Sequence, residues 1–151
     1  MDLVIGIGNA LRGDDGIGPY VVNALPDRPD LETMTVHQLV PELAEKIHAA
    51  RCVLFVDASL DSDDVCLRQI EPSMHRGVGH SCLPAALLGW TRFAYAEAPE
   101  AWLLSIPSSS FEFGNTLSER TESMIPEAMQ RIETWLKRSA EPVLVMSEEE
   151  A

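Results

Sequence analysis

The sequence predicts a single α/β domain, built on a mainly parallel five-stranded sheet with one antiparallel strand and helices on both faces. Three observations predict it. Strand-like apolar runs alternate with helix-like segments along the chain. Glycine- or acid-containing turns follow the first and third runs. No repeat and no linker divides the 151 residues, a length that suits one domain burying about two-thirds of its unfolded surface.

Leu3–Gly8 is the first expected strand, and Ile17–Leu25 the helix after it, with Pro19 tolerated in the first turn. Pro26 to Asp30 is a loop. Thr33–Leu39 is the second strand, and Pro41–Ala50 a helix with Leu43 and Ile47 on one face. Cys52–Val56 is the most hydrophobic strand and stops at Asp57. The short Asp61–Asp64 turn cannot hold a crossover helix, so the next strand, Val65–Ile70, is expected to run antiparallel to its predecessor. Pro72–His80 reads as loop, Leu83–Ala96 as helix and Trp102–Ile106 as the fifth strand. A loop rich in Ser, Gly and Phe then leads to a long helix from about Glu119 to Arg138, with Ser118 as its N-cap. Met124, Ile125, Met129, Ile132, Trp135 and Leu136 form its apolar stripe, and Pro126 marks a bend or a shifted start. The domain is expected over 1–138, with 139–151 a flexible acidic tail.

Composition narrows the function. A formal net charge of −13 excludes a nucleic-acid partner and disfavours anionic membranes. No apolar run has the length of a membrane span, and no secretory signal opens the chain. Cys52, Cys66 and Cys82 form no Cys-x-x-Cys pair, and Cys52 and Cys66 read as small core residues. A cytoplasmic protein, monomeric, is expected.

The stretch Gly6 to Gly18 carries the chemistry. Four of the chain's nine glycines follow the apolar run Leu3–Ile7, together with the adjacent acids Asp14 and Asp15. A dinucleotide fingerprint fails because Leu11 stands where the third glycine belongs, and no Walker lysine is present. Carboxylates here repel phosphate and suit a metal ion or proton transfer. In a parallel sheet, ligands sit beyond the carboxyl ends of the strands. Asp15 follows the first strand and Asp57 ends the third, so both belong to one edge. Of the four histidines, His37, His48, His75 and His80, His48 reads as a surface residue of a helix, and His75 and His80 share one glycine-containing loop. Two carboxylates and an imidazole bind a divalent transition metal with positions left open. Spacing alone does not choose between His75 and His80.

These residues resemble the hydrogenase maturation endopeptidases, which trim the C-terminus of the large subunit of nickel-iron hydrogenases. That family opens with Gly-x-Gly-Asn-x-Leu-x-x-Asp-(Asp or Glu)-x-x-Gly, matched here from Gly6 to Gly18. Its second acid, at the end of an apolar strand, is similar to Asp57, and its histidine, before a helix rich in Leu and Ala, to His80. Together with the segment Phe111–Ser118, the likeness covers about residues 1–138 and most resembles the branch for bidirectional, NAD(P)-linked hydrogenases. It implies a twisted five-stranded sheet and an endopeptidase acting on a hydrogenase large-subunit precursor. It further implies that Asp15, Asp57 and His80 recognise nickel supplied by the substrate, with no tightly held cofactor of the enzyme's own. Many relatives carry an Asp-Gly-Gly-Thr-like turn after the second strand. This chain has Val36-His-Gln-Leu-Val-Pro-Glu-Leu43, where Gln38 is expected to contact the peptide. No Gly-x-Ser-x-Gly or His-Glu-x-x-His pattern occurs, so the expected chemistry is metal-assisted or carboxylate-assisted hydrolysis. A Cys82–His80 nucleophile is the rival mechanism. The rival functions are a checkpoint chaperone that binds the same precursor without cutting it, and a plain α/β domain whose acids are solvated.

Overall fold

A computed structural model describes residues 1–73 and 83–140. Its five strands are β1 (Asp2–Ile7), β2 (Leu31–Val36), β3 (Cys52–Ser59), β4 (Cys66–Ile70) and β5 (Glu100–Pro107). Its helices are α1 (Ile17–Asn23), α2 (Ala44–Ala49), α3 (Pro84–Tyr95), α4 (Glu119–Glu122) and α5 (Ile125–Ala140). One sheet holds all five strands in the order β2-β1-β3-β5-β4. Every neighbouring pair is parallel except β4 with β5. The expected antiparallel strand is therefore present, separated from β3 by β5.

Period-two side-chain alternation divides the core between the two faces of the sheet. Val4, Leu54, Val56, Leu104 and Ile106 pack with Ile17 and Val21 of α1 and with Ile132, Trp135 and Leu136 of α5. Leu3, Ile5, Val53 and Phe55 pack on the other face with Ile47 of α2 and with Leu87 and Leu88 of α3. Central strands covered on both faces read as unbroken apolar runs, which is why β1 and β3 were plain in the sequence.

The differences are local. β2 begins two residues before the predicted Thr33 and ends at Val36, releasing His37 and Gln38 into a loop while Leu39 still enters the core. The single helix predicted from Glu119 to Arg138 is two helices. Ser118 does cap α4, its hydroxyl accepting the Thr121 N–H. Pro126 occupies the first turn of a new helix, where its missing N–H costs nothing. α5 runs past the predicted domain end at 138 to Ala140, and the rest of the expected tail lies outside the described residues. Cys52 is buried, but Cys66 is exposed, because β4 is an edge strand.

Candidate active site

β1 is followed in space by β2 on one side and β3 on the other, so the chain reverses its order of winding between β1 and β3. A crevice at such a switch point is where open α/β sheets bind ligands. Asp15 comes from the loop after β1, in a 3-10 turn over Gly13–Gly16. Asp57 comes from the carboxyl end of β3.

Glycines let this loop close on itself. Gly8 has φ +146°, and a Cβ there would lie 1.8 Å from the Asp15 carbonyl oxygen. Close packing of helix on strand, the duty of the missing third glycine, falls to Gly6 and Gly18. A Cβ on Gly6 would stand 2.7 Å from the Gly18 carbonyl oxygen. A Cβ on Gly18 would stand 2.5 Å from the Val56 carbonyl oxygen, directly before Asp57.

The adjacent acids have separate duties. Asp14 is 1% exposed. Its carboxylate accepts the N–H groups of Ser109, Ser110 and Ser118 at 2.8, 3.1 and 2.7 Å, and the Ser118 hydroxyl at 2.8 Å. Burial pushes its pKa up, but hydrogen bonds from Ser118, Ser109 and Thr121 outweigh this and hold it at about 2. Asp14 is thus a structural tie between the loop after β1 and the 108–118 loop, and not one of a metal-binding pair.

Asp15 is half-buried, its Oδ2 accepting the Asn9 N–H at 2.8 Å. Asp57 accepts the Ala58 N–H at 2.8 Å. Burial raises the Asp57 pKa to about 6, the Ala58 N–H opposes the rise, and the nearby charge of Asp15 adds to it. The charge of Asp15 therefore reaches Asp57, in keeping with their placement at the ends of adjacent parallel strands.

Asp15 lines a cleft of about 410 Å³ together with Asn9, Arg12, His37, Gln38 and Phe111. Gln38, picked out from the sequence, and Asp15 meet in it. His37 and Arg12 were not picked out. The signal for His37 was its place in the loop after β2, the strand beside β1. Arg12 had no such signal, because only the fold brings it to Phe111. His48 stacks on Tyr95 at 4.4 Å, on α2. His75, His80 and Cys82 lie outside the described residues. Among the described residues, no three His, Cys, Asp or Glu side chains converge as a metal site.

These features define an α/β domain with a carboxylate-bearing cleft at its topological switch point. No family model matches the chain, and no curated protein matches it. Solved structures do. The hydrogenase maturating endopeptidase HybD from E. coli superposes with a TM-score of 0.74 at 22% identity, over 92% of this chain and 93% of that one. The [NiFe] hydrogenase maturation protease HycI from Thermococcus kodakarensis gives 0.67 at 21% identity, over 90% and 92%. A hydrogenase 2 maturation peptidase from a Thaumarchaeota archaeon gives 0.65 at 22% identity, over 90% and 97%. The fold of this chain is that of the hydrogenase maturation endopeptidases.

Proposed function

We propose that this chain is an endopeptidase that removes the C-terminal extension of a nickel-loaded hydrogenase large-subunit precursor. One observation carries the reading: in a fold shared with proteases of that name, Asp15 stands close enough to Asp57 at the switch point for its charge to reach the Asp57 carboxyl. The opening motif from Gly6 to Gly18 supports it independently.

In this reading Asp15, Asp57 and His80 recognise nickel that arrives bound to the precursor. Two carboxylates and one imidazole leave coordination positions open, which suits a metal already held by substrate thiolates. Docking fixes the scissile peptide beside the carboxylates, and Gln38 contacts the backbone of the extension. Asp57 has its pKa at about 6 before nickel arrives, and once the carboxylates hold nickel a carboxylate oxygen left uncoordinated would accept the proton of the attacking water. Nickel held by Asp15, Asp57 and His80 would supply positioning of the peptide and Lewis-acid polarisation of the carbonyl or the water. Product leaves once the extension is cut, because the contacts made through it are lost. The reaction is assigned to the cytoplasm. Among the described residues no helix is long and apolar enough to cross a membrane, and Cys52 and Cys66 are free thiols.

The test is incubation of the full-length chain with a nickel-loaded precursor, followed by intact mass. Loss of a C-terminal fragment is expected. A stable complex with the precursor uncut would replace the peptidase by a checkpoint chaperone.

A further inference from the structure

Arg12 lines the cleft together with Asp15 and makes no ion pair with it. Arg28, Arg51, Arg120, Arg131 and Arg138 each lie within 4 Å of a carboxylate. Among the described residues Arg12 has no such partner. Arg68 and Arg92 also lack one; all three are exposed, but Arg68 and Arg92 lie on β4 and α3, outside the cleft that Arg12 lines. In a chain with a net charge of −13, a cleft-lining cation with no carboxylate within 4 Å among the described residues is a specific placement.

Its orientation is set as well. Arg12 Nε donates to the Phe111 carbonyl oxygen at 3.0 Å. The backbone around it is fixed by a parallel bridge between Arg12 and Gly114, with Gly13 N–H donating to Gly114 O at 2.8 Å and Gly114 N–H to Leu11 O at 2.7 Å. With Nε used, the two terminal nitrogens remain as an end-on fork of parallel N–H groups. That geometry matches the two oxygens of a carboxylate, and the fork loses little freedom on binding because its stem is already held.

We propose that Arg12 is an anion-binding residue of the cleft and receives a carboxylate of the peptide that enters it. The proposal rests on the reading of this cleft as a peptide site. Asp15 and the overall charge disfavour polyanions such as phosphate chains, so the anion is singly charged. It is either an acidic side chain of the C-terminal extension or its terminal carboxylate. Arg12 thereby sets the register of the peptide relative to Asp15, which shares its loop.

The test has two arms. In the first, the isotopically labelled full chain is titrated with three capped tripeptides, and the amide shifts of Asn9, Gln38 and Phe111 are followed. Acetyl-Gly-Glu-Gly-amide offers a side-chain carboxylate, acetyl-Gly-Gly-Gly a terminal one, and acetyl-Gly-Gln-Gly-amide neither. Saturable shifts with a carboxylate peptide, absent with the Gln peptide and absent in Arg12→Ala, are expected, and the peptide that binds identifies the source. In the second arm, Arg12→Ala raises KM for the precursor about tenfold or more with a far smaller change in kcat, and Arg12→Lys falls between, keeping charge without the fork. Equal titration by the Gln peptide, or an unchanged KM in Arg12→Ala, overturns the assignment. If the wild-type chain leaves the precursor uncut while carboxylate peptides still titrate, the peptidase reading fails and the anion site stands.

Discussion

Asp14 and Ser118 are joined twice, the Ser118 N–H meeting Asp14 Oδ1 at 2.7 Å and the Ser118 hydroxyl meeting Oδ2 at 2.8 Å. The same hydroxyl accepts the Thr121 N–H and so caps α4. Thr121 in turn donates its hydroxyl proton to the Pro107 carbonyl at the end of β5. One buried carboxylate therefore ties the loop that carries Asp15 to the loop that carries Phe111, the two walls of the cleft.

Removing that tie is expected to be costly. Asp14→Ala leaves several buried donors without an acceptor and should lower stability by about 3 kcal/mol. Asp14→Asn should lose nearly as much, since its amide nitrogen would face N–H donors. Because the folded-state pKa is depressed to about 2, this stabilisation is present above about pH 4 and is lost as pH falls towards 2. Denaturant unfolding at several pH values reads both effects; a variant as stable as wild type at pH 7 would show that Asp14 is no tie.

Asp57 has the opposite sign. Its folded-state pKa is raised from 3.8 to about 6, so the native state binds the proton more tightly than the unfolded chain. Stability is full below about pH 4 and falls as pH rises through about 6. Asp57→Asn should therefore stabilise the protein at pH 7.5 by about 2 kcal/mol, with the gain vanishing below pH 4. The same substitution should abolish processing, which is the signature of a residue kept for chemistry at a cost in stability. Thermal unfolding scans across pH check the first point. A loss of stability at pH 7.5 would contradict it.

Gly8 tests how Asp15 is placed. A methyl group there meets the Asp15 carbonyl oxygen at 1.8 Å in a backbone conformation that side chains rarely adopt. Gly8→Ala should cost about 3 kcal/mol or more and displace the loop, removing processing with it. Retention of both stability and activity would mean that the loop is free to rearrange.

Much of this was legible in the sequence, for identifiable reasons. β1 and β3 are central and dry on both faces, so their apolar runs stood out, and the rule for parallel sheets then put Asp15 and Asp57 on one edge. Edge elements were less legible. β2 and β4 each have one unpaired edge, so the apolar pattern overruns β2 as far as Leu39 and does not mark Cys66 as exposed. The division of labour between Asp14 and Asp15 was out of reach, because nothing local distinguishes two adjacent acids. Their difference comes from Ser109, Ser110 and Ser118, about a hundred residues away in the chain. Arg12 was hidden for the same reason, since its fixed orientation depends on Phe111.

The histidine assignment and the absence of a thiol nucleophile rest on the sequence pattern. His80→Ala should abolish processing, and His75→Ala and Cys82→Ser should process at close to the normal rate, with all three folded by circular dichroism. Loss at His75 instead of His80 would move the imidazole by five residues. Loss of turnover in Cys82→Ser with precursor binding intact would revive the cysteine nucleophile.

The central claim is that nickel carried by the precursor, recognised by Asp15, Asp57 and His80, licenses the cut. The most direct measurement compares nickel-loaded and nickel-free precursor, each incubated with metal-stripped protein, either wild type or Asp15→Ala. Wild type should cut only the nickel-loaded precursor, and Asp15→Ala should cut neither. Equal cutting of both precursors by the wild-type protein would contradict it.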